Sequence, residues 1–358
     1  MENPVILFIP VSSNKGIGEY MRSTILANAI QQQILGADIH FILSTRVKYS
    51  KKCQFTTHFS LNSATKDTRK VKQVIESIKP DLVIFDCSGR AKQFRFAKKN
   101  GAKVIFISQH KKKRKRGLSI RRIRHTDAHW VVQPNYTVKP LSWIEKLKLN
   151  LLDKPEPKNI GPILPNFESD DVTRILEKYG LESGGFFLFN SGSGGHRLDG
   201  KLVADVFYQA AQNFQMKTGN KCVVIFGSNY PNELPDDSDI QCLLFVSSQD
   251  FLVLLNQAKG RVIGAGGTLL QSIELAKPSV SIAVSKDQPS RLKDCIAMNY
   301  TIGASLDEHD ICKSLEKLTD SNKLTTMVVS LQERTQEYAL KTALIEIKRL
   351  LRQETNLN

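Results

Sequence analysis

Apolar residues in this chain cluster in short unbroken runs, each followed by a polar turn and then by residues at helical spacing. In the first half the runs are VILFIP, ADIHFILST, DLVIFD, AKVIFIS and HWVV. Met21, Ile25, Leu26, Ala29 and Ile30 recur at the spacing of one helix face, and RKVKQVIESI, stopped by Pro80, reads as another helix. Runs without alternation mark strands buried on both faces. Their alternation with helices predicts an α/β fold built on a parallel sheet.

The rhythm breaks at Asn159–Pro165 and the following NFESDD, which hold a glycine, two prolines and an acidic cluster. It then restarts with GFFLFNSGSGG, VADVFYQAAQNF, KCVVIFGS, QCLLFVS, DFLVLLNQA, RVIGAGG, LLQSIELA and PSVSIAV. The expected organisation is a domain over 1–160, a linker over 161–172, a second domain over 173–330 and a terminal helical segment over 331–358. In that last segment Tyr338, Ala339, Ala343, Leu344, Ile347, Leu350 and Leu351 form one apolar stripe within a helix from Leu331 to Arg352. No fixed repeat of 20 to 50 residues, the signature of a solenoid, is visible.

With 358 residues, 41% of them apolar, there is material for two cores. The opening residues carry no basic leader, and no run approaches the ~20 apolar residues of a membrane span, so a cytoplasmic chain is expected. The six cysteines lack CxxC or zinc spacing, which suits reduced, buried thiols. The net charge of +16 is uneven, because KKKRKRGLSIRRIR between Lys111 and Arg124 holds nine basic residues and no acid. Such a stretch is either a solvated loop or a site for a polyanion. It contains no aromatic side chain for base stacking, so nucleic acid is not expected.

Ligands of open α/β sheets bind beyond the carboxyl ends of the strands, and three glycine loops fall there. Ser191-Gly192-Ser193-Gly194-Gly195-His196-Arg197 would offer backbone amides to a phosphate, with Arg197 adding charge. It matches neither the P-loop nor the GxGxxG pattern. Gly266-Gly267-Thr268 leads into a helix on which Glu274 lies two turns on, about 10 Å away and on the same face. That distance suits a nucleoside diphosphate with its ribose on the carboxylate. Gly16, Gly18 and Glu19 open a helix, where Glu19 is either a general base or an ordinary helix-start acid. Asp86 and His110 end strands on the same side of the first half, as candidates to line an acceptor site. Asp237-Ser238-Asp239 spells a metal-binding DxD but sits in an acidic turn, so no metal is expected.

The order FNSGSGGHR, CVVIFGS, LLFVSSQDFLVLLNQA and VIGAGGTLLQSIELAKPSVSIAVSKDQPSRL resembles the nucleotide-binding domain of GT-B glycosyltransferases over residues 185 to 305. The nearest patterns are the lipid-II-forming N-acetylglucosaminyltransferases and the UDP-sugar hydrolases of pseudaminic acid synthesis. The resemblance implies two Rossmann-like domains with parallel sheets facing across a cleft, and sugar transfer from a nucleotide sugar without metal or other cofactor. It implies that Ser191, Gly192, Ser193, Gly194 and Arg197 meet donor phosphate, and that the backbone at Phe245 and Val246 holds the base. Gly266, Gly267 and Thr268 would meet the diphosphate, Glu274 the ribose, and Asp287 with Gln288 the sugar. In the first half Gly16, Gly18 and Arg22 match the hydrolase glycine loop GxGHxxR, but Glu19 stands where that loop has histidine. Glu19, Asp86 and His110 are the catalytic candidates, and Lys113, Arg114 and Arg116 those for a phosphorylated glycolipid or polysaccharide acceptor of surface glycan (lipopolysaccharide or capsule) synthesis. Docking on the inner face of the cytoplasmic membrane would follow. A nucleotide-sugar hydrolase and a non-enzymatic polyanion binder are the alternatives.

Overall fold

The computed structural model describes residues 3–11, 18–47, 50, 53–109, 111–134, 137–164, 167–286, 288–333 and 339–352. The chain divides into two compact units, Met1–Pro165 with Gln336–Asn358, and Asn166–Thr335. Gly16, His110 and Asp287 lie outside the described residues.

The first unit runs β1 (Val5–Pro10), α1 (Gly18–Gln33), β2 (Asp38–Ser44), β3 (Thr56–Ser60), α2 (Thr68–Ile78), β4 (Leu82–Asp86) and α3 (Ala91–Lys99). It continues with β5 (Lys103–Ser108), α4 (Lys111–Gly117), α5 (Ile120–Ile123), β6 (Ala128–Val131), α6 (Trp143–Leu151) and β7 (Lys158–Asn159). All of its described strand pairs are parallel, in the order β3-β2-β1-β4-β5-β6-β7. Successive residues of each central strand face opposite layers, which is why the sequence shows unbroken apolar runs. Ile6, Phe8, Phe41, Ile84 and Ile105 pack with Leu26 and Ile30 of α1. Leu7, Ile9, Val83, Phe85 and Phe106 pack with Val71 and Ile75 of α2 and Phe94 of α3.

The second unit runs α7 (Ser169–Lys178), β8 (Phe186–Asn190), β9 (Arg197–Leu198), β10 (Lys201–Leu202), α8 (Val203–Thr218), β11 (Lys221–Ile225), β12 (Ile240–Leu243) and α9 (Ser248–Gln257). Then come β13 (Gly260–Gly264), α10 (Gly267–Glu274), β14 (Val280–Ile282), α11 (Pro289–Ala297), β15 (Ile302–Gly303), α12 (Glu308–Thr319) and α13 (Ser321–Gln332). Its main sheet, in the order β12-β11-β8-β13-β14-β15, is parallel throughout its described pairs. Phe187, Phe189, Val224 and Val262 pack with Phe207, Ala211 and Phe214 of α8 and Ile311 and Leu315 of α12.

Four sequence expectations change. The terminal helical stripe is not one helix from Leu331: α13 ends at Gln332, and α14 spans Ala339–Arg352. α14 is also no separate segment. Its Ala339, Leu340, Ala343, Ile347, Leu350 and Leu351 join the core of the first unit, and Trp130 Nε1 donates to Glu346 at 2.8 Å. The stretch after SGSGG does not enter a helix directly, because the antiparallel β9–β10 hairpin intervenes. Of the two readings of the basic run, the solvated loop does not hold, because the run is folded as α4 and α5. Among the described residues no helix is long and apolar enough to cross a membrane.

Candidate functional site

In both sheets the chain starts in the middle, moves outward on one side, then returns to the other side of its first strand. The reversal falls between β8 and β13 in the second unit, and between β1 and β4 in the first. At such a point the loops leaving two adjacent parallel strands turn apart and open a crevice at their carboxyl ends.

In the second unit the crevice is walled by the loop after β8 and the start of α10. Asn190 holds that loop, donating from Nδ2 to Ile225 O at 2.8 Å and accepting from Gly192 N at 3.1 Å. The loop packs against the turn that follows β11, with Asn229 N donating to Ser193 O at 2.8 Å. A Cβ on Gly194 would fall 2.3 Å from Phe226 O, and one on Gly227 2.4 Å from the Ser193 carbonyl carbon, both at left-handed φ. Those two glycines thus serve the packing of loop on loop. Gly192 is different: a Cβ there would meet only His196 Nε2, at 4.0 Å. Next to it Ser191 is 3% exposed, and its hydroxyl oxygen has no hydrogen-bond partner. A buried hydroxyl without a partner fits a site that a polar ligand completes.

Across from it, α10 is capped by Gly266, which has no side chain to offer the amides of the first turn. A Cβ at Gly267 would meet nothing within 4 Å. The open amides and the helix dipole together make a place for negative charge. Glu274 closes the same helix two turns on, half-buried. Gln288 braces the neighbouring turn: its Oε1 accepts from Val284 N at 2.8 Å, and its Nε2 would lie 3.2 Å from a Cβ on Gly266. On the far side of β11, Phe245 is exposed after β12, while Val246 is buried.

At the first unit's reversal, Asp86 ends β4 fully buried and accepts from Arg22 Nε at 2.9 Å and Nη2 at 2.6 Å. Ser23 Oγ reaches the same carboxylate at 3.4 Å. Burial works against the Arg22 charge, but the facing carboxylate overrides it and holds the guanidinium protonated above its ordinary range. Cys87 follows at a left-handed φ of 51°, its thiol pushed up to about 12 by burial and by Asp86. It is no nucleophile near neutral pH. Lys113 Nζ donates to Cys87 O at 3.1 Å. The charge of Glu19, in the first turn of α1, acts on Arg22, Asp86 and Cys87 alike, so these groups form one cluster.

No family model matches this sequence, and no curated protein matches it. Solved structures do. A glycosyltransferase of kitacinnamycin matches with a TM-score of 0.64 and 15% identity, over 98% of this chain and 100% of that one. CalG4, the calicheamicin glycosyltransferase, gives 0.62 and 13% over 99% and 100%. UGT2 of Phytolacca americana, solved with UDP-2-fluoro-glucose and pterostilbene, gives 0.60 and 12% over 97% and 98%. The chain has the GT-B fold. At these identities the likeness is one of fold.

Within this GT-B chain, Ser191, Gly192, Gly266, Gly267 and Thr268 lie just beyond the ends of the two adjacent strands at the second reversal. Gly18, Glu19, Arg22, Asp86 and Lys113 come together at the first. Four assignments change in character. Asp86 is locked on Arg22 and buried, so it positions α1 instead of presenting a base, and Arg22 in turn is not presented to an acceptor. Arg114 turns inward, 5% exposed, and holds the carbonyls of Lys139 and Pro140. Arg197 closes the β9–β10 hairpin onto Gly200 O at 3.2 Å. Arg116 stays exposed. Asp237 of the DxD is a structural cap, accepting from Tyr208 OH at 2.6 Å, Gln212 Nε2 at 2.9 Å and Asp239 N at 2.8 Å. Sequence reasoning missed Gly227 and Cys87, although both follow a strand end and so carried the signal used for the other loops.

Proposed function

We propose that the chain is a metal-independent glycosyltransferase that moves a sugar from a nucleotide-sugar donor, with UDP as the first nucleotide to try, to a phosphorylated glycolipid or polysaccharide acceptor. One observation carries this: at the β8–β13 reversal, an uncapped helix N-terminus faces open space beside a buried hydroxyl that lacks a partner. The donor diphosphate would accept from the amides of Gly267 and Thr268, the Ser191 hydroxyl would complete the phosphate contacts, and Glu274 would receive the ribose hydroxyls. Fixed amides and a helix dipole stabilise the charge that grows on the departing phosphate, the part a metal plays elsewhere.

Glu19 is the proposed base. It would take the proton of the acceptor hydroxyl as that oxygen attacks the anomeric carbon and the nucleotide leaves with the bonding pair. Asp86 and Arg22 hold the turn of α1 that bears it. The exposed lysines and arginines of α4 and α5 would draw the chain to an anionic membrane carrying the acceptor, consistent with surface glycan assembly at the inner face of that membrane.

Incubation with a panel of nucleotide sugars, with and without glycolipid acceptors, tests this. Nucleotide release that depends on acceptor supports transfer. Equal release in its absence would make the protein a nucleotide-sugar hydrolase.

A further inference from the structure

α6 is a short helix with an unusual division of its side chains. Trp143, Ile144, Leu147 and Leu151 are 73, 47, 47 and 75% exposed. At 100° per residue they fall within a quarter to a third of the helix circumference, a single apolar edge turned to solvent. Leu149, on the opposite side, is buried against Leu118 and Ile123 of the basic segment. The helix is therefore seated by one leucine while its other large apolar groups face outward.

The seat is firm. Ser142 and Glu145 form a capping box at the start of α6. Arg114 of α4 holds the carbonyls of Lys139 and Pro140, which lead into it. Lys111 and Arg114 lie near enough for their charge to act on Glu145, so the basic helix runs beside the start of α6. Between Lys111 and Leu152 there are 12 lysines and arginines against two acids, Asp127 and Glu145. Lys111, Lys112, Lys115, Arg116, Arg121, Arg124 and Lys146 are exposed, and Ile120 of α5 adds a further exposed apolar side chain at 44%.

An apolar edge with a terminal tryptophan, on a segment rich in exposed cations and nearly free of acid, is complementary to the boundary between headgroups and acyl chains of an anionic bilayer. We propose that α6 is an interfacial anchor, with Trp143, Ile144, Leu147 and Leu151 inserted below the headgroups while α4 and α5 bind the anionic surface. This rests on the anionic membrane proposed above and adds the inserting element, which gives binding a component that salt does not screen.

The two tryptophans make the test direct, since Trp130 is fully buried and Trp143 is mostly exposed. Full-length protein is mixed with phosphatidylglycerol/phosphatidylcholine vesicles, and sedimentation and tryptophan emission are followed at low and high salt. The expected result is co-sedimentation with a blue shift of the emission, part of which survives high salt. Leu147→Asp with Leu151→Asp should weaken vesicle binding about tenfold or more, with an unchanged melting curve and an unchanged response to UDP. Binding without a blue shift, or binding undiminished in that variant, would overturn insertion and leave the charged surface standing. No binding at all would remove the membrane from both proposals. A shift that grows with protein concentration in the absence of vesicles would assign the edge to a second copy of the chain.

Discussion

Arg22 and Asp86 join the second turn of α1 to the end of β4 through two hydrogen bonds, with both side chains closed off from solvent. Glu19 lies three residues before Arg22, on the same side of the helix. The buried pair thus sets the position of the carboxylate proposed as base without touching substrate itself.

Breaking one side of the pair leaves a buried charge alone. Arg22→Ala should cost about 3–5 kcal/mol of stability, whereas Arg22→Met combined with Asp86→Leu should recover most of it. Denaturant unfolding followed by Trp130 fluorescence measures both. A single variant as stable as the parent would show that the pair is not what holds α1.

Glu19→Gln keeps the shape and removes the proton acceptor. Turnover should fall by roughly 10²–10⁴ with nucleotide affinity unchanged, the usual contribution of a positioned base. An unaltered kcat would place the base elsewhere.

Two glycines of the second unit separate folding from binding. Gly227→Ala sets a methyl against the backbone of residues 192–194 at a φ of 99°, and should cost about 1–3 kcal/mol and loosen the donor loop. Gly267→Ala meets no protein atom within 4 Å. It should leave the melting temperature within a degree or so of the parent while weakening nucleotide binding. Calorimetry and nucleotide titration on both variants give the comparison.

His129 lies in contact with Ser108 Oγ at 2.9 Å, and burial, reinforced by Arg114 and Arg122, pushes its pKa down to about 3. The unfolded chain therefore binds a proton between about pH 6.5 and 3 that the folded one does not. Stability of the first unit should be complete above about pH 6.5 and decline as the pH falls toward 3. His129→Gln should flatten that decline in urea unfolding at pH 7.5 and pH 5.

Unbroken apolar runs made the central strands legible, because a strand covered on both faces needs no polar residue until it reaches its end. The glycine loops were legible for the same reason, as the first polar residues after each run. What the sequence hid depends on contacts between distant segments. Gly194 looks like a phosphate glycine until its loop is seen to pack on the turn that holds Gly227. Asp86 looks like an accessible acid until Arg22, 64 residues away, is found on it. Arg114 and Arg116 read alike in KKKRKR, yet one turns inward and the other outward. The β9–β10 hairpin is only two pairs long and has no apolar period to announce it.

The central claim is that the amides at the start of α10 and the loop after β8 bind a nucleoside diphosphate. UDP and GDP are titrated while amide hydrogen exchange is followed along the chain. One of them should bind saturably, stabilising the fold by ~2.7 kcal/mol at a hundred times its Kd, and slow exchange at 266–269 and 191–195. Protection confined to other segments, or no binding by any nucleotide, would contradict it.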